Sequence, residues 1–255
     1  MDIHEAAPVS LASTLGLQAM IIGSAFVSIA GNLPPSAIVI NRALGLGRGQ
    51  PALRSTVDSI LEAYREAGVE QYFVQVAPDS NPPEIANWIT DLGLVENRAW
   101  QKFSRGREPV TERSTDLEIR EIGPRYGDDF GRIASQAFDL GEQAAPWLAR
   151  LPGRPGWHVF MSFDKEEPAG VGAMFVHDGM AWMDFGATSP EFRKRGSQGA
   201  ILARRMQLAL ELGCGEMFTC TGVDVPGDPQ HSYKNILKAG FREHYVRKNF
   251  SPSDA

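Results

Sequence analysis

The chain has 255 residues, a formal net charge of −6 and 43% hydrophobic residues, enough material for two domains of average size with their own cores. The acidic balance excludes nonspecific nucleic-acid binding, which needs a broad basic surface to neutralise phosphates. The only cysteines, Cys214 and Cys220, supply too few ligands for a zinc site and read as core thiols.

The apolar stretch from Leu15 to Ala30 is broken by Gln18, Gly23 and Ser24 and preceded by Asp2 and Glu5. It resembles neither a signal peptide nor a membrane span, so a cytoplasmic protein is expected. Ala37 to Leu46 predicts a strand, and Leu53, Val57, Ile60, Leu61 and Tyr64 mark a helix face. Gln71 to Ala77 predicts a strand and Pro83 to Leu92 a helix; after Gly93-Leu94, Asn97 to Ser104 supplies a closing strand. The polar stretch from Arg105 to Glu112 holds Gly106 and Pro109 without an apolar period. It places a boundary between domains 1–108 and 109–255.

After it, Leu117 to Ile122 predicts a strand, and Asp128 to Phe138 and Glu142 to Leu151 predict helices. Trp157 to Phe163, Gly170 to Val176 and Ala181 to Thr188 predict three more strands, the last two joined by a turn at His177-Asp178-Gly179. Strict alternation in the last one puts Asp184, Gly186 and Thr188 on one face and Met183, Phe185 and Ala187 on the other. From Ile201 to Leu212, Leu202, Met206, Ala209 and Leu210 line one face of a helix that Gly213 ends, and Glu216 to Thr221 predicts a strand.

Between strand and helix lies Arg193-Lys194-Arg195-Gly196-Ser197-Gln198-Gly199-Ala200. A helix N-terminus presents unpaired N–H groups and about half a positive charge, so three cations there repel it unless an anion is bound. Glycines at 196 and 199 let backbone approach a ligand closely, and together they make a phosphate cradle. A solvated basic turn is the alternative reading. A serine-hydrolase elbow is excluded by the glycine spacing around Ser197. A P-loop is excluded because no Gly-Lys-Ser or Gly-Lys-Thr follows the glycines. His4, His158, His177, His231 and His244 have no metal-ligand or triad spacing.

This segment resembles the pyrophosphate loop of the GNAT acyltransferases, whose pattern is Arg or Gln, any two residues, Gly, any residue, then Gly or Ala. Arg193 and Gly196 fit its first two marked positions. Gln198 departs from the third, with Gly199 and Ala200 directly after it. A second signature, a helix closing in Gly-Phe before a final strand, is matched by Ser232-Tyr233-Lys234-Asn235-Ile236-Leu237-Lys238-Ala239-Gly240-Phe241. The resemblance covers about residues 116 to 250. The first half repeats the order in outline, with Gly49-Gln50-Pro51-Ala52 where the loop would be, but without the basic run and with Pro51 removing an N–H. The expected fold is α/β (α+β): tandem GNAT-like mixed sheets flanked by helices, the C-terminal one complete and the N-terminal one degenerate and without a cofactor loop. An unrelated α/β segment is the alternative for the first half.

The resemblance implies an N-acetyltransferase carrying acetyl from acetyl-CoA to an amine by direct attack in a ternary complex, with no metal. The acceptor would be a small molecule or a peptide; nucleic acid and membrane are not expected partners, and homo-oligomerisation stays open. Pantetheine would lie along the strand at Gly186, Ala187 and Thr188. The pyrophosphate would lie on Arg193, Arg195, Gly196, Ser197, Gln198, Gly199 and Ala200, with Lys194 turned to phosphate or to solvent. Many of these enzymes carry a tyrosine four residues before the Gly of Gly-Phe as acid toward the thiolate, where this chain has Ile236. Tyr233 or Ser232 could face the sulfur instead, and Asn235 could hydrogen-bond the donor.

For the base, Asp184 leads, because a carboxylate on a half-buried strand needs a partner or a purpose; a structural hydrogen bond or ion pair is the other reading. Asp224 and Asp228 are weaker candidates. Acceptor loops would include Leu140 to Pro155 and Gly222 to Gln230, with Trp147 either shaping the site or packing. A non-catalytic acyl-CoA-binding or regulatory module is the alternative function.

Overall fold

A computed structural model describes residues 2–227 and 230–253. The chain divides into two compact units: one takes the described residues up to Gln101 and again from Tyr245 onward, the other Lys102–His244. The polar stretch from Arg105 to Glu112 lies within the second unit.

The first unit opens with the short helices α1 (Asp2–Glu5) and α2 (Val9–Leu15). The hairpin β1 (Leu17–Ile22) and β2 (Ala25–Ala30) follows. Its antiparallel ladder ends at Ile22↔Ala25, and Gly23, at φ 59°, supplies the positive φ that a two-residue hairpin turn requires. No strand is expected there from the sequence pattern. The strand predicted from Ala37 to Leu46 is reduced to β3 (Arg42–Leu44), and Pro35–Val39 forms a 3₁₀ turn instead. Pro34 and Pro35 fix φ in a range that starts a helical turn, which overrides the β-branched residues after them.

Helix α3 (Arg54–Glu66) buries Val57, Ile60 and Tyr64, while Leu53 stands outside it as N-cap and is exposed. It links β3 to the parallel strand β4 (Phe73–Val76). Helix α4 (Ile85–Asp91) and the long β5 (Leu94–Arg105) follow, and β11 (Arg242–Pro252) returns to this unit with its C-terminal part. The strands run in the order β1-β2-β3-β4-β11-β5. Asn249, fully buried on β11, accepts from Gln75 Nε2 of β4 at 2.7 Å and donates to Arg98 O of β5 at 2.6 Å. The core gathers Val27, Ile29, Ile60, Tyr64, Ile89 and Phe250.

In the second unit, β6 (Glu118–Ile122) precedes α5 (Gly127–Ala137), then a 3₁₀ turn at Glu142–Ala144 leads into α6 (Ala145–Leu148). Trp147 of α6 is fully buried, so its role is packing. Antiparallel strands β7 (Trp157–Asp164), β8 (Glu167–His177) and β9 (Met180–Thr188) follow. Helix α7 (Ser197–Glu211) carries the chain to β10 (Glu216–Gly222), parallel to β9, and α8 (His231–Lys238) leads into β11. The strand order is β10-β9-β8-β7-β6. Leu202, Met206 and Ala209 of α7 pack with Met183, Phe103, Ile236 and Phe241. Cys214 is buried in the same core, while Cys220 is only partly covered.

Candidate active site

Strand β9 is pulled away from one neighbour and kinked against the other. Its parallel pairing with β10 runs from Glu216↔Met180 to Phe218↔Trp182, although β9 continues to Thr188 and β10 to Gly222. One side-chain bond lies just past the last pair, Thr219 Oγ1 donating to Met183 O at 3.1 Å. On the other side, Val171 of β8 pairs with Ala187 and Ala173 with Asp184. Gly172 alone therefore faces both Phe185 and Gly186, which is a β-bulge; bulges bend the strand that carries the extra residue. Phe185 sits at φ 46°. Its ring meets Phe130 and Phe138 of the α5 segment edge-on at 6.1 and 5.7 Å, whereas Met183 packs with α7. The expected grouping of Met183 with Phe185 on one face fails because the extra residue resets the alternation.

Asp184 is half-buried and held from two sides. Its Oδ1 accepts from the Phe185 N–H at 2.8 Å and its Oδ2 from Trp182 Nε1 at 3.0 Å. A carboxylate has about four lone-pair sites, so two remain for another partner. The Trp182 ring carries the Lys102 ammonium 4.1 Å from its centroid.

Helix α7 begins at Ser197, four residues before the start expected from apolar spacing, so the predicted phosphate loop is partly its first turn. Gly196 caps it at φ 87°, no side chain caps its N–H groups, and its first turn holds no acidic residue. A Cβ on Gly196 would lie 2.6 Å from Ser114 O, so the position is closed to any other residue. Arg193 and Lys194 are exposed. An uncapped helix N-terminus behind exposed cations suits an anion such as a diphosphate.

Arg195 does not share that position. Its Nη1 donates to Asp164 Oδ2 at 2.6 Å, and its Nε and Nη2 donate to Asp116 at 2.5 to 3.1 Å. These bonds raise the guanidinium pKa further and hold the Asp116 carboxyl below its usual range. Arg195 is thus a clamp on the loop, and its carbonyl accepts from Thr115 Oγ1 at 2.7 Å.

Ser197 turns its hydroxyl inward to Ser162 Oγ at 2.7 Å, which leaves its backbone as the group facing the loop. Gln198, Ser232 and Asn235 come together: Gln198 Nε2 donates to Ser232 Oγ at 3.2 Å, and Asn235 Nδ2 donates to Gln198 Oε1 at 2.6 Å. Ala200 is buried, and Arg113 passes Gly199, its Cγ 3.7 Å from where a Cβ would be.

Tyr233 gives its hydroxyl hydrogen to Glu243 and rests its ring edge-on against Phe103 at 5.0 Å. Burial, reinforced by Glu243, pushes its pKa up to about 12. Ile236 is a core residue. Asp224 Oδ1 accepts from the Gln230 N–H at 2.7 Å, and Asp228 lies outside the described residues.

Four participants escaped the sequence reading. The clamp partners Asp116 and Asp164 and the tyrosine's partner Glu243 carry no local signal. Arg205 does: it stands four residues after Ile201 and three after Leu202, a cation inside an apolar stripe, and it is buried. Among the described residues no group of three or more His, Cys, Asp or Glu is placed to hold a metal ion. No described helix is long and apolar enough to cross a membrane.

No protein-family model matches the sequence, and no curated protein does. Solved structures do match. A GCN5-related N-acetyltransferase from Kribbella flavida is 14% identical with a TM-score of 0.67, covering 100% of this chain and 95% of its own. One from Sphaerobacter thermophilus is 12% identical with a TM-score of 0.62, over 91% and 81%. A tandem GNAT protein from the clavulanic acid biosynthesis pathway is 15% identical with a TM-score of 0.57, over 90% and 79%. At such identities the likeness is one of fold. With its mixed sheets, bent β9 and the β9–loop–α7 order, the chain has the fold of the GCN5-related N-acetyltransferases, in tandem form.

Proposed function

We propose that the chain is an acyl-CoA-dependent N-acyltransferase that moves acetyl from acetyl-CoA to an amine. The observation that carries the reading is the uncapped N-terminus of α7, with exposed Arg193 and Lys194 before it, on the loop after the end of β9 that β10 leaves unpaired. The pyrophosphate rests on the N–H groups of Ser197, Gln198 and Gly199, with Arg193 and Lys194 adding charge. The pantetheine lies along Gly186, Ala187 and Thr188, whose edge can accept it as an added strand. A backbone N–H of the same edge receives the thioester oxygen as its charge grows during attack. Gln198, Ser232 and Asn235 form one polar chain that borders the donor.

Asp184 takes the proton of the attacking amine through a lone pair that Trp182 and Phe185 leave open. Tyr233 is assigned a holding role because its hydrogen is already given to Glu243, and the departing thiolate is protonated by solvent. The first unit is a GNAT-like domain without a donor site. The test is CoA release from acetyl-CoA across a panel of small amines and peptide N-termini, with calorimetry of CoA binding alongside. Acceptor-stimulated release supports the reading. Tight binding with no release from any acceptor supports a non-catalytic acyl-CoA-binding module, the reading favoured by Ile236 in the core and the engaged Tyr233.

A further inference from the structure

Arg205 of α7 is 3% exposed, and a cation at that depth ordinarily faces a carboxylate. Its Nη1 donates instead to two backbone carbonyls, Ala173 O at 2.6 Å and Asp184 O at 2.9 Å. These residues pair with each other across β8 and β9 at the regular position next to the bulge. Burial pulls the Arg205 pKa down to about 10, opposed by the Asp184 charge, so the side chain stays a cation at neutral pH.

One glycine makes room for it. A Cβ on Gly172 would lie 2.9 Å from Arg205 Cζ, whereas one on Gly186 would lie 3.6 Å from Nη2, an ordinary contact. Both glycines belong to the bulge itself. A bulge disrupts the ladder and leaves buried peptide groups in need of partners. Gly172, the register shift and the buried guanidinium are therefore one arrangement.

We infer that Arg205 is the positioning residue of the donor site: by binding the Ala173 and Asp184 carbonyls it holds the bulge, and so keeps the Phe185–Thr188 edge of β9 turned away from β10. The geometry of the strand stands alone; the consequence for acyl transfer rests on the function proposed above. Arg205 touches no reacting atom and acts through the peptide groups of β9.

The test compares Arg205→Met, which keeps a long side chain but removes every donor, with Arg205→Lys, which keeps a cation. Both are made in the full chain and followed by amide hydrogen exchange and by steady-state kinetics. In R205M, exchange over residues 183–188 should change at least tenfold while the β1–β2 hairpin keeps parental rates. In the same variant kcat should fall and the KM for acetyl-CoA should rise, each at least fivefold, and R205K should recover most of both. Parental exchange over 183–188 in folded R205M overturns the assignment. A uniform rise in exchange across the second unit with kcat and KM unchanged marks a merely stabilising residue and overturns it as well. Should R205M not fold, R205K carries the test: a threefold change confined to 183–188 is expected, and parental exchange there overturns the assignment. A parent chain that releases no CoA with any amine removes the transferase reading and leaves the exchange result to decide on Arg205.

Discussion

The segments β3–α3 of the first unit and β9–α7 of the second are both a strand, a glycine-containing loop and a helix, and their loops dispose of their cations differently. In the first, the Gly47 N–H donates to Ser24 Oγ at 2.9 Å, Gly47 O accepts from the Asn81 N–H at 2.9 Å, and the Ala52 N–H donates to Asn81 O at 2.8 Å. Its cations are paired too, Arg48 with Asp79 at 2.9 Å and Arg54 with Asp91 at 3.2 Å. In the second, Arg195 is neutralised while Arg193 and Lys194 stay exposed; the N-terminus of α7, like that of α3, has no side-chain cap. A strand–loop–helix unit can thus either tie its loop and cations into the fold for stability or leave exposed cations before its helix for an anion. The same hydrogen-bonding groups cannot do both.

The largest expected effect lies at the strand, where β9 carries Asp184 and β3 carries no carboxylate. Asp184→Asn should lower turnover by roughly 10²–10⁴ and leave CoA binding nearly unchanged, as read by kinetics and calorimetry on one preparation. Parental turnover in the folded variant would remove Asp184 from the mechanism. Next is Gly47→Ala in the closed loop. A Cβ there would meet Asn81 O and Ile85 Cδ1, both at 2.6 Å, on a residue at φ 74°. Left-handed strain plus overpacking predicts a loss of about 2–4 kcal/mol in denaturant unfolding. A loss under about 1 kcal/mol would mean the loop yields readily and is not closed by its own packing.

How far the contrast was legible in the sequence depends on how local its cause is. The basic run, the helix after it and the three strands before it follow from composition and period, and they came out in order. The β1–β2 hairpin was missed because Leu17–Ile22 and Ala25–Ala30 are apolar on both faces, which leaves no alternation to read. The strand expected from Ala37 lost to Pro34-Pro35. Arg195 could be assigned as a phosphate ligand because its real partners, Asp116 and Asp164, stand 79 and 31 residues away. Arg205 was readable as a cation in an apolar stripe, but its carbonyl partners exist only once the bulge forms.

The first unit should also set part of the acid sensitivity. His4 is buried with Nε2 2.8 Å from Ser28 Oγ. Burial first, and positive charge including Arg42 second, lower its pKa from 6.5 to about 4. A lowered folded-state pKa means the unfolded chain binds the proton more readily, so this contribution is intact above about pH 6.5 and is lost as pH falls toward 4. The full loss is on the order of 3 kcal/mol. His4→Gln should flatten the stability curve between those limits, and an unchanged slope would show that other groups govern it.

At the open helix end, replacing Arg193 and Lys194 together with Ala should weaken CoA binding about tenfold to hundredfold at low salt, since hydrogen bonds to charged groups contribute roughly 1.5–3 kcal/mol. The loss should shrink as salt rises. Arg48→Ala should leave CoA binding alone. Equal effects of the two changes would erase the distinction between the loops.

The smallest effect sharpens the contrast most, because stability and binding should move in opposite directions. Gly199 lies in the first turn of α7 without a positive φ, and the nearest atoms to an added Cβ are Arg113 Cγ at 3.7 Å and Cβ at 3.8 Å, ordinary contact distances. Gly199→Ala should therefore stabilise the chain by about 0.5–1 kcal/mol, the usual gain of Ala over Gly inside a helix. The same methyl would stand where the backbone must approach the phosphate, so CoA affinity should fall severalfold. Thermal unfolding and calorimetry on the one variant read both quantities. A rise in Tm with parental CoA affinity would show that phosphate does not touch the first turn of α7, and the open loop would then need another ligand.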